Sequence, residues 1–188
     1  MTNRMPAREG RLVLTLALAG LLMAGLPSAA SAQDGAALKA AYLADIEVMR
    51  GKFLGLAEAF PAETYSWRPM EGVRSVSEVL MLIAGEGFAF APVALGLEGT
   101  MTFQEMQALE QDVTDKAEVI DYLTRGFASA QEQLGGVDPA TLTGTRQIFG
   151  QERTTADMVL LVAGDMHEHL GQLIAYARMN QIVPPWSR

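Results

Sequence analysis

The chain contains no cysteine, and this absence excludes several kinds of protein at once. Without thiols there is no disulfide framework, no cysteine nucleophile, no cysteine-bound zinc and no lipid-attachment thiol. Histidine is also scarce, because His167 and His169 are the only two in 188 residues. Any imidazole chemistry is therefore confined to one short segment near the C-terminus.

Motifs for two common enzyme classes are missing as well. The sequence has neither a Gly-rich phosphate-binding loop nor the strand-turn-helix serine motif of the α/β hydrolases. Nucleotide binding and serine hydrolysis thus receive little support.

The N-terminus has the three parts of a secretory signal peptide. Arg4, Arg8 and Arg11 precede an apolar run from Leu12 to Leu26, and small residues follow up to Ala32. A transmembrane anchor is the alternative, but 15 apolar residues fall short of the roughly 20 that span a bilayer. We predict a cleaved signal peptide at residues 1–32, a mature domain at residues 33–188, and a periplasmic or secreted protein.

Basic residues are few, which bears on possible partners. The whole chain has 14 Lys and Arg against 22 Asp and Glu. Residues 1–32 contain three Arg and one Glu, so the predicted mature chain has 11 basic and 21 acidic residues, a net charge of -10. Phosphate backbones require Lys and Arg, and we therefore expect no nucleic acid partner.

Apolar residues recur with helical spacing in four long segments, at residues 36–60, 75–91, 115–134 and from Thr154 or Thr155 onward. Ser75 and Glu78 form a capping-box pattern at the start of the second segment, and Pro92 is expected to end it. A short helical turn is expected at residues 103–109 and a strand-like turn in the loop before the fourth segment. The pattern predicts an all-α fold, a four-helix bundle in one domain.

Two sequence blocks resemble the DinB-like superfamily. The first comprises residues 66–69 and 72–80, and the second comprises residues 167–178 and 183–186. The resemblance implies a four-helix bundle, often a homodimer, with a divalent metal ion on three histidines, and some relatives are transferases or hydrolases. Those ligand positions fall on Leu82, Asp165 and His169. Because only His169 is a histidine, the usual three-histidine site is absent.

Three polar residues are candidates for an altered site. His169 is predicted on the inner stripe of the last helix, and Asp165 precedes it by one turn. Glu86 occupies a position where an apolar residue is expected, and a buried carboxylate needs a partner. Together they could ligate one divalent ion such as Zn, Ni, Mn or Fe. The alternatives are a His–Asp pair that serves packing only and a Glu86 that reaches solvent.

The inner stripe of the last helix has five further members besides His169. They are Val159, Val162, Met166, Leu173 and Tyr176. Gly85 and Gly87, on either side of Glu86, are expected to ease the approach of a neighbouring helix or of a ligand.

His167, Trp67 and Arg68 are interpreted as residues at the rim. His167 lies about 200 degrees round the helix from His169, so the two cannot easily bind one ion. An arginine over an aromatic ring, with Trp67, Arg68 and Trp186 as the available residues, is expected to fasten the C-terminal tail.

Three functions are compatible with these patterns. The leading prediction is an exported small-molecule-binding or interaction module with a lost or altered metal site. A metal-dependent hydrolase or transferase that uses Asp165, His169 and Glu86 is the second. A structural homodimer without a ligand is the third.

Overall fold

The computed structural model describes residues 29–148 and 150–188, with side chains from residue 34 onward. Six α-helices lie in the described residues: α1 Ala29–Ala59, α2 Val76–Phe88, α3 Phe90–Leu95, α4 Phe103–Asp112, α5 Lys116–Gly136 and α6 Thr155–Met179. Strands β1 Thr145–Ile148 and β2 Gln151–Thr154 form an antiparallel hairpin in which Thr145 pairs with Thr154. The predicted all-α class is confirmed. Residues 1–28 of the predicted signal peptide lie outside the described residues.

The four long helices α1, α2, α5 and α6 pack around one apolar core. Helix α2 packs most extensively against α5, and α1 packs against both α5 and α6. The short helix α4 covers α2, while α3 packs against α6. Residues Val76–Leu95 are apolar and long enough to cross a bilayer, yet most of this stretch is buried inside the protein. Helix α2 is therefore the central helix of the bundle.

The second helix ends earlier than predicted, at Phe88 and not near Ala91. A continuous helix would place the Pro92 ring against the carbonyl of Phe88, four residues earlier, and would leave that carbonyl without its amide donor. The helix is interrupted at Ala89. Pro92 lies in the first turn of α3, where the helix needs no backbone amide donor. The Phe88 carbonyl accepts a hydrogen bond from the Thr100 amide instead.

Lysines at opposite ends of α1 and α5 join the two helices. Lys116 Nζ, at the start of α5, donates to the carbonyls of Glu58 and Phe60 at the end of α1, at 2.8 and 2.7 Å. Lys39 Nζ, near the start of α1, donates at 2.7 Å to the carbonyls of Gly135 and Val137 at the end of α5. Each ammonium group satisfies carbonyls that helix ends leave unpaired. The two contacts hold α1 and α5 antiparallel.

Helices α2 and α5 approach so closely that only glycine fits between them. A Cβ on Gly87 would overlap the carbonyl oxygen of Gly126, and a Cβ on Gly126 would overlap the carbonyl oxygen of Ala84. Gly85 faces the other way and receives the side chain of Met106 from α4. The expected role of Gly85 and Gly87 in helix packing is confirmed.

We predict that Gly87→Ala and Gly126→Ala each lower the free energy of unfolding by about 1–3 kcal/mol, because the added methyl group meets backbone atoms that cannot rotate away. Urea denaturation of each variant provides the measurement.

Gly51→Ala in α1 is the matched control, because a Cβ there meets nothing within 4 Å. This control should gain about 0.5–1 kcal/mol from its lower conformational entropy in the unfolded chain. A stabilising effect of alanine at all three positions would contradict the close approach.

Candidate functional site

Asp165 and His169 lie on adjacent turns of α6, whose start is set by a capping box between Thr154 and Asp157. His169 Nε2 is 3.5 Å from Asp165 Oδ2, and the two side chains are 15% and 35% exposed. The prediction that His169 belongs to the inner stripe is corrected in part. Leu170 occupies the fully buried position, which turns His169 to the edge of the core because consecutive residues are about 100 degrees apart.

Glu86 is the acidic residue that the fold buries among the described residues. It lies in α2 with 8% of its surface exposed, because the glycines on either side of it allow α4 and α5 to close over α2. The alternative that Glu86 reaches solvent is therefore wrong. Desolvation, and after it the nearby carboxyl group of Asp165, raise the pKa of Glu86 from 4.5 to about 9. Glu86 and Asp165 thus meet between α2 and α6.

The two carboxyl groups have buried oxygens with no hydrogen-bond donor among the described residues, namely Glu86 Oε2 and Asp165 Oδ2. When both groups are ionised they are acceptors only and cannot satisfy each other. A proton held by Glu86 makes one of them a donor and joins the pair. Burial beside a second carboxylate thus explains why Glu86 keeps its proton at neutral pH.

The donors do not form a metal site as they stand. Among the described residues, no group of three His, Asp or Glu side chains is arranged to hold an ion. Leu82, at the first ligand position implied by the resemblance, is 7% exposed and contributes only packing. Two carboxylates and an imidazole are suitable ligand types for a divalent ion, but the geometry of the three side chains does not fit one.

Tyr42 of α1 joins the site, although the sequence analysis did not single it out. Burial, then the carboxyl groups of Asp45 and Glu86, raise the pKa of its phenol, so its O–H stays protonated. Tyr42 and Glu86 both line a cavity of about 20 Å³, which is room for about one water molecule. In the sequence, Tyr42 is one of the helically spaced apolar residues of its segment. No sequence pattern separates such a tyrosine from one that only packs in the core.

His167 lies at the surface and away from this site. Its Nε2 contacts the two carboxylate oxygens of Asp45 in α1 at 3.0 and 3.1 Å, and its side chain is 51% exposed. The contact ties α6 to α1. The structure thus gives the two histidines separate carboxylate partners.

The expected arginine–aromatic contact is wrong for Arg68. Its guanidinium donates to Glu78 Oε1 and to the Val73 carbonyl, both at 2.9 Å. The cation over the Trp186 ring is Lys52, at 5.9 Å, because Trp186 lies beside α1. Trp67 instead forms a T-shaped contact with the Tyr176 ring, with centroids 5.4 Å apart.

A surface groove of about 540 Å³ lies beside the loop before α2. Arg68 and Arg74 lie on it, paired with Glu78 and Glu110. Gln172 of α6 also lines it, and Gln172 Oε1 is 2.8 Å from His169 Nδ1. Gln172 was missed by the sequence analysis, although its position three residues after His169 places it on the same helical face.

Comparison with protein families gives a match that covers most of the chain. The model described as the DinB superfamily matches residues 45–173, more than half of the chain. The matched range contains Glu86, Asp165, His167 and His169. No curated protein matches the chain.

We predict that Glu86 makes stability fall as pH rises. Its pKa of about 9 in the folded protein exceeds the ordinary value of 4.5, so the native state binds more protons than the unfolded state between these values. The wild-type free energy of unfolding should therefore decrease by about 1 kcal/mol per pH unit over this range. Glu86→Gln should flatten this slope in urea denaturation at pH 6, 7 and 8.

Glu168→Gln, at an exposed position of α6, should keep the wild-type slope. Identical slopes in the wild type and in Glu86→Gln would show that Glu86 is ionised in the native state.

Proposed function

The chain belongs to the DinB superfamily, and we propose that it is an exported member that binds a small molecule at an acceptor-rich site. The proposed site consists of Glu86, Asp165 and His169, in place of the three-histidine metal centre that the sequence resemblance implies. The proposal rests on two buried carboxyl oxygens beside His169, Glu86 Oε2 and Asp165 Oδ2, which have no hydrogen-bond donor among the described residues other than a proton on Glu86 itself.

The donor and acceptor inventory supports one class of ligand. Carboxylate oxygens and an imidazole nitrogen without a proton accept hydrogen bonds and donate none. A ligand that fits them presents N–H groups and positive charge, as an amine or amidine does, because charge-assisted hydrogen bonds are the strongest available. Such a ligand would also displace the proton that Glu86 holds.

Access to the site supports binding from the surface. Asp165 and His169 stay partly exposed, whereas Glu86 is buried. Gln172, which contacts His169, lines the 540 Å³ groove. A ligand of one or two rings would thus place its cationic end at Asp165 and its remainder in the groove. The small cavity beside Tyr42 is too small for more than water.

Export is the second part of the proposal. Its support is the order of features at the N-terminus: three spaced arginines, then fifteen mostly apolar residues, then a segment of small residues. The absence of cysteine is compatible with an oxidising compartment, because a domain of this size can be stable without disulfides.

We predict that benzamidine binds the purified protein, whereas benzamide and benzoate, its neutral and anionic analogues, do not. Asp165→Asn should weaken benzamidine binding at least tenfold, since loss of a charged hydrogen-bond partner costs about 1.5–3 kcal/mol. Isothermal titration calorimetry provides the measurement.

Asp45→Asn is the matched control, because Asp45 is the carboxylate paired with the other histidine. This variant should bind benzamidine as the wild type does. Equal affinity for the three probes, or no effect of Asp165→Asn, would refute the acceptor site.

Elemental analysis tests the metal-dependent alternative. Protein purified without chelator is expected to retain no stoichiometric Zn, Ni, Mn or Fe, because the three donors are not grouped to hold an ion. One ion per chain that is lost in His169→Ala and Asp165→Ala, but kept in His167→Ala, would replace our proposal with a metal-dependent hydrolase or transferase.

A further inference from the structure

A continuous chain of hydrogen bonds connects His169 to the loop before α2. His169 Nδ1 lies 2.8 Å from Gln172 Oε1, and Gln172 Nε2 donates to the Tyr176 hydroxyl at 2.7 Å. The Tyr176 hydroxyl donates in turn to the Arg74 carbonyl at 2.9 Å. The positions 169, 172 and 176 lie on one helical face, so α6 supplies the whole row.

The carbonyl at the end of this chain determines its direction. A carbonyl oxygen can only accept, so the Tyr176 O–H points to Arg74 and its oxygen is left to accept from Gln172. The Gln172 amide must then present its NH₂ group to Tyr176 and its oxygen to His169. An oxygen at His169 Nδ1 requires that this nitrogen carry the proton.

We infer that Tyr176 and Gln172 are positioning residues that hold the ring proton of His169 on Nδ1. The Nε2 lone pair then faces Asp165, 3.5 Å away, and completes the acceptor set with the carboxyl groups. This inference rests on the proposed function, in which His169 Nε2 accepts a hydrogen bond from the ligand. The Nε2–H tautomer would place a hydrogen-bond donor there instead.

The hydrogen-bond chain favours a different tautomer of His169 from the one that Asp165 alone would favour. A carboxylate beside Nε2 attracts a proton to that nitrogen, and the free imidazole side chain in water also carries its proton mainly there. Only an acceptor at Nδ1 reverses this preference. His167 shows the other case, because its Nε2 faces Asp45 and is expected to carry the proton.

Packing holds the positioning residues in place. Tyr176 is 4% exposed, and the Trp67 ring stands almost at right angles to its ring, at 78°, an arrangement that aromatic pairs prefer. Arg74 directly precedes Ser75, the N-cap of α2. The hydrogen-bond chain therefore ties the imidazole of α6 to the start of the helix that carries Glu86.

The test is the tautomeric state of both histidines in ¹⁵N-labelled protein, read from long-range ¹H–¹⁵N correlations at a pH where the rings are neutral. Two histidines give two spin systems, so His167 is an internal reference. His169 should show a protonated Nδ1 and a bare Nε2, and His167 the reverse.

Tyr176→Phe keeps the ring against Trp67 and removes the hydroxyl. The Gln172 amide is then free to turn over, and we expect the His169 signals to move toward the Nε2–H tautomer while those of His167 stay unchanged. Adding Gln172→Glu to this variant restores an obligate acceptor at Nδ1 and should return His169 to the Nδ1–H form. A merely structural role of Tyr176 would not be rescued in this way.

An Nε2–H or doubly protonated His169 in the wild type at pH 8, or no change in Tyr176→Phe, would overturn the inference. Because the spectra need no ligand, this outcome is independent of the benzamidine titration. If His169 is the Nδ1–H tautomer but benzamidine does not bind, the proposed function is contradicted and the inference about the tautomer stands.

Discussion

The contact of α2 with α5 allows no side chain between Gly87 and Gly126, and the geometry of the site follows from it. This close approach makes α2 the central helix and leaves little room for water around Glu86. A carboxyl group in such a place is either neutral or paired with a cation. Across the interface the carboxyl group of Asp165 raises the pKa of Glu86 further, so the neutral form prevails. The fold thus brings two acids together, and the positive charge of Arg74 offsets them only in part.

This pairing of two acids differs from the three-histidine centre that the sequence resemblance implies. A three-histidine centre offers three neutral nitrogen ligands, and the sequence resemblance assigns these positions to Leu82, Asp165 and His169. On that assignment one donor is lost and a carboxylate is gained, and Glu86 brings a second carboxylate. The result is a set of acceptors that a proton or a cationic N–H donor satisfies. The arginines of the nearby groove do not neutralise the site, because Arg68 and Arg74 are already paired with Glu78 and Glu110.

Much of the fold could be predicted from local patterns. Helix periodicity and the capping box at Ser75 located the four long helices, because both depend on residues three or four apart. The end of α2 was misplaced because the effect of Pro92 reaches four residues back, to the carbonyl of Phe88. The hairpin at residues 145–154 was foreseen only as a strand-like turn, since two four-residue strands carry little periodicity.

The sequence by itself determined the helical class, the absence of thiol chemistry and the impossibility of three histidine ligands, because composition and local spacing suffice for these. It also identified Asp165 and His169 as neighbours, one helical turn apart. Only the tertiary structure decided that Glu86 is buried against Asp165, that Tyr42 lies near it, and that Tyr176 reaches the Arg74 carbonyl 102 residues away. Such contacts depend on the register and rotation of one helix against another. Those are set by packing of the whole core, which no local pattern encodes.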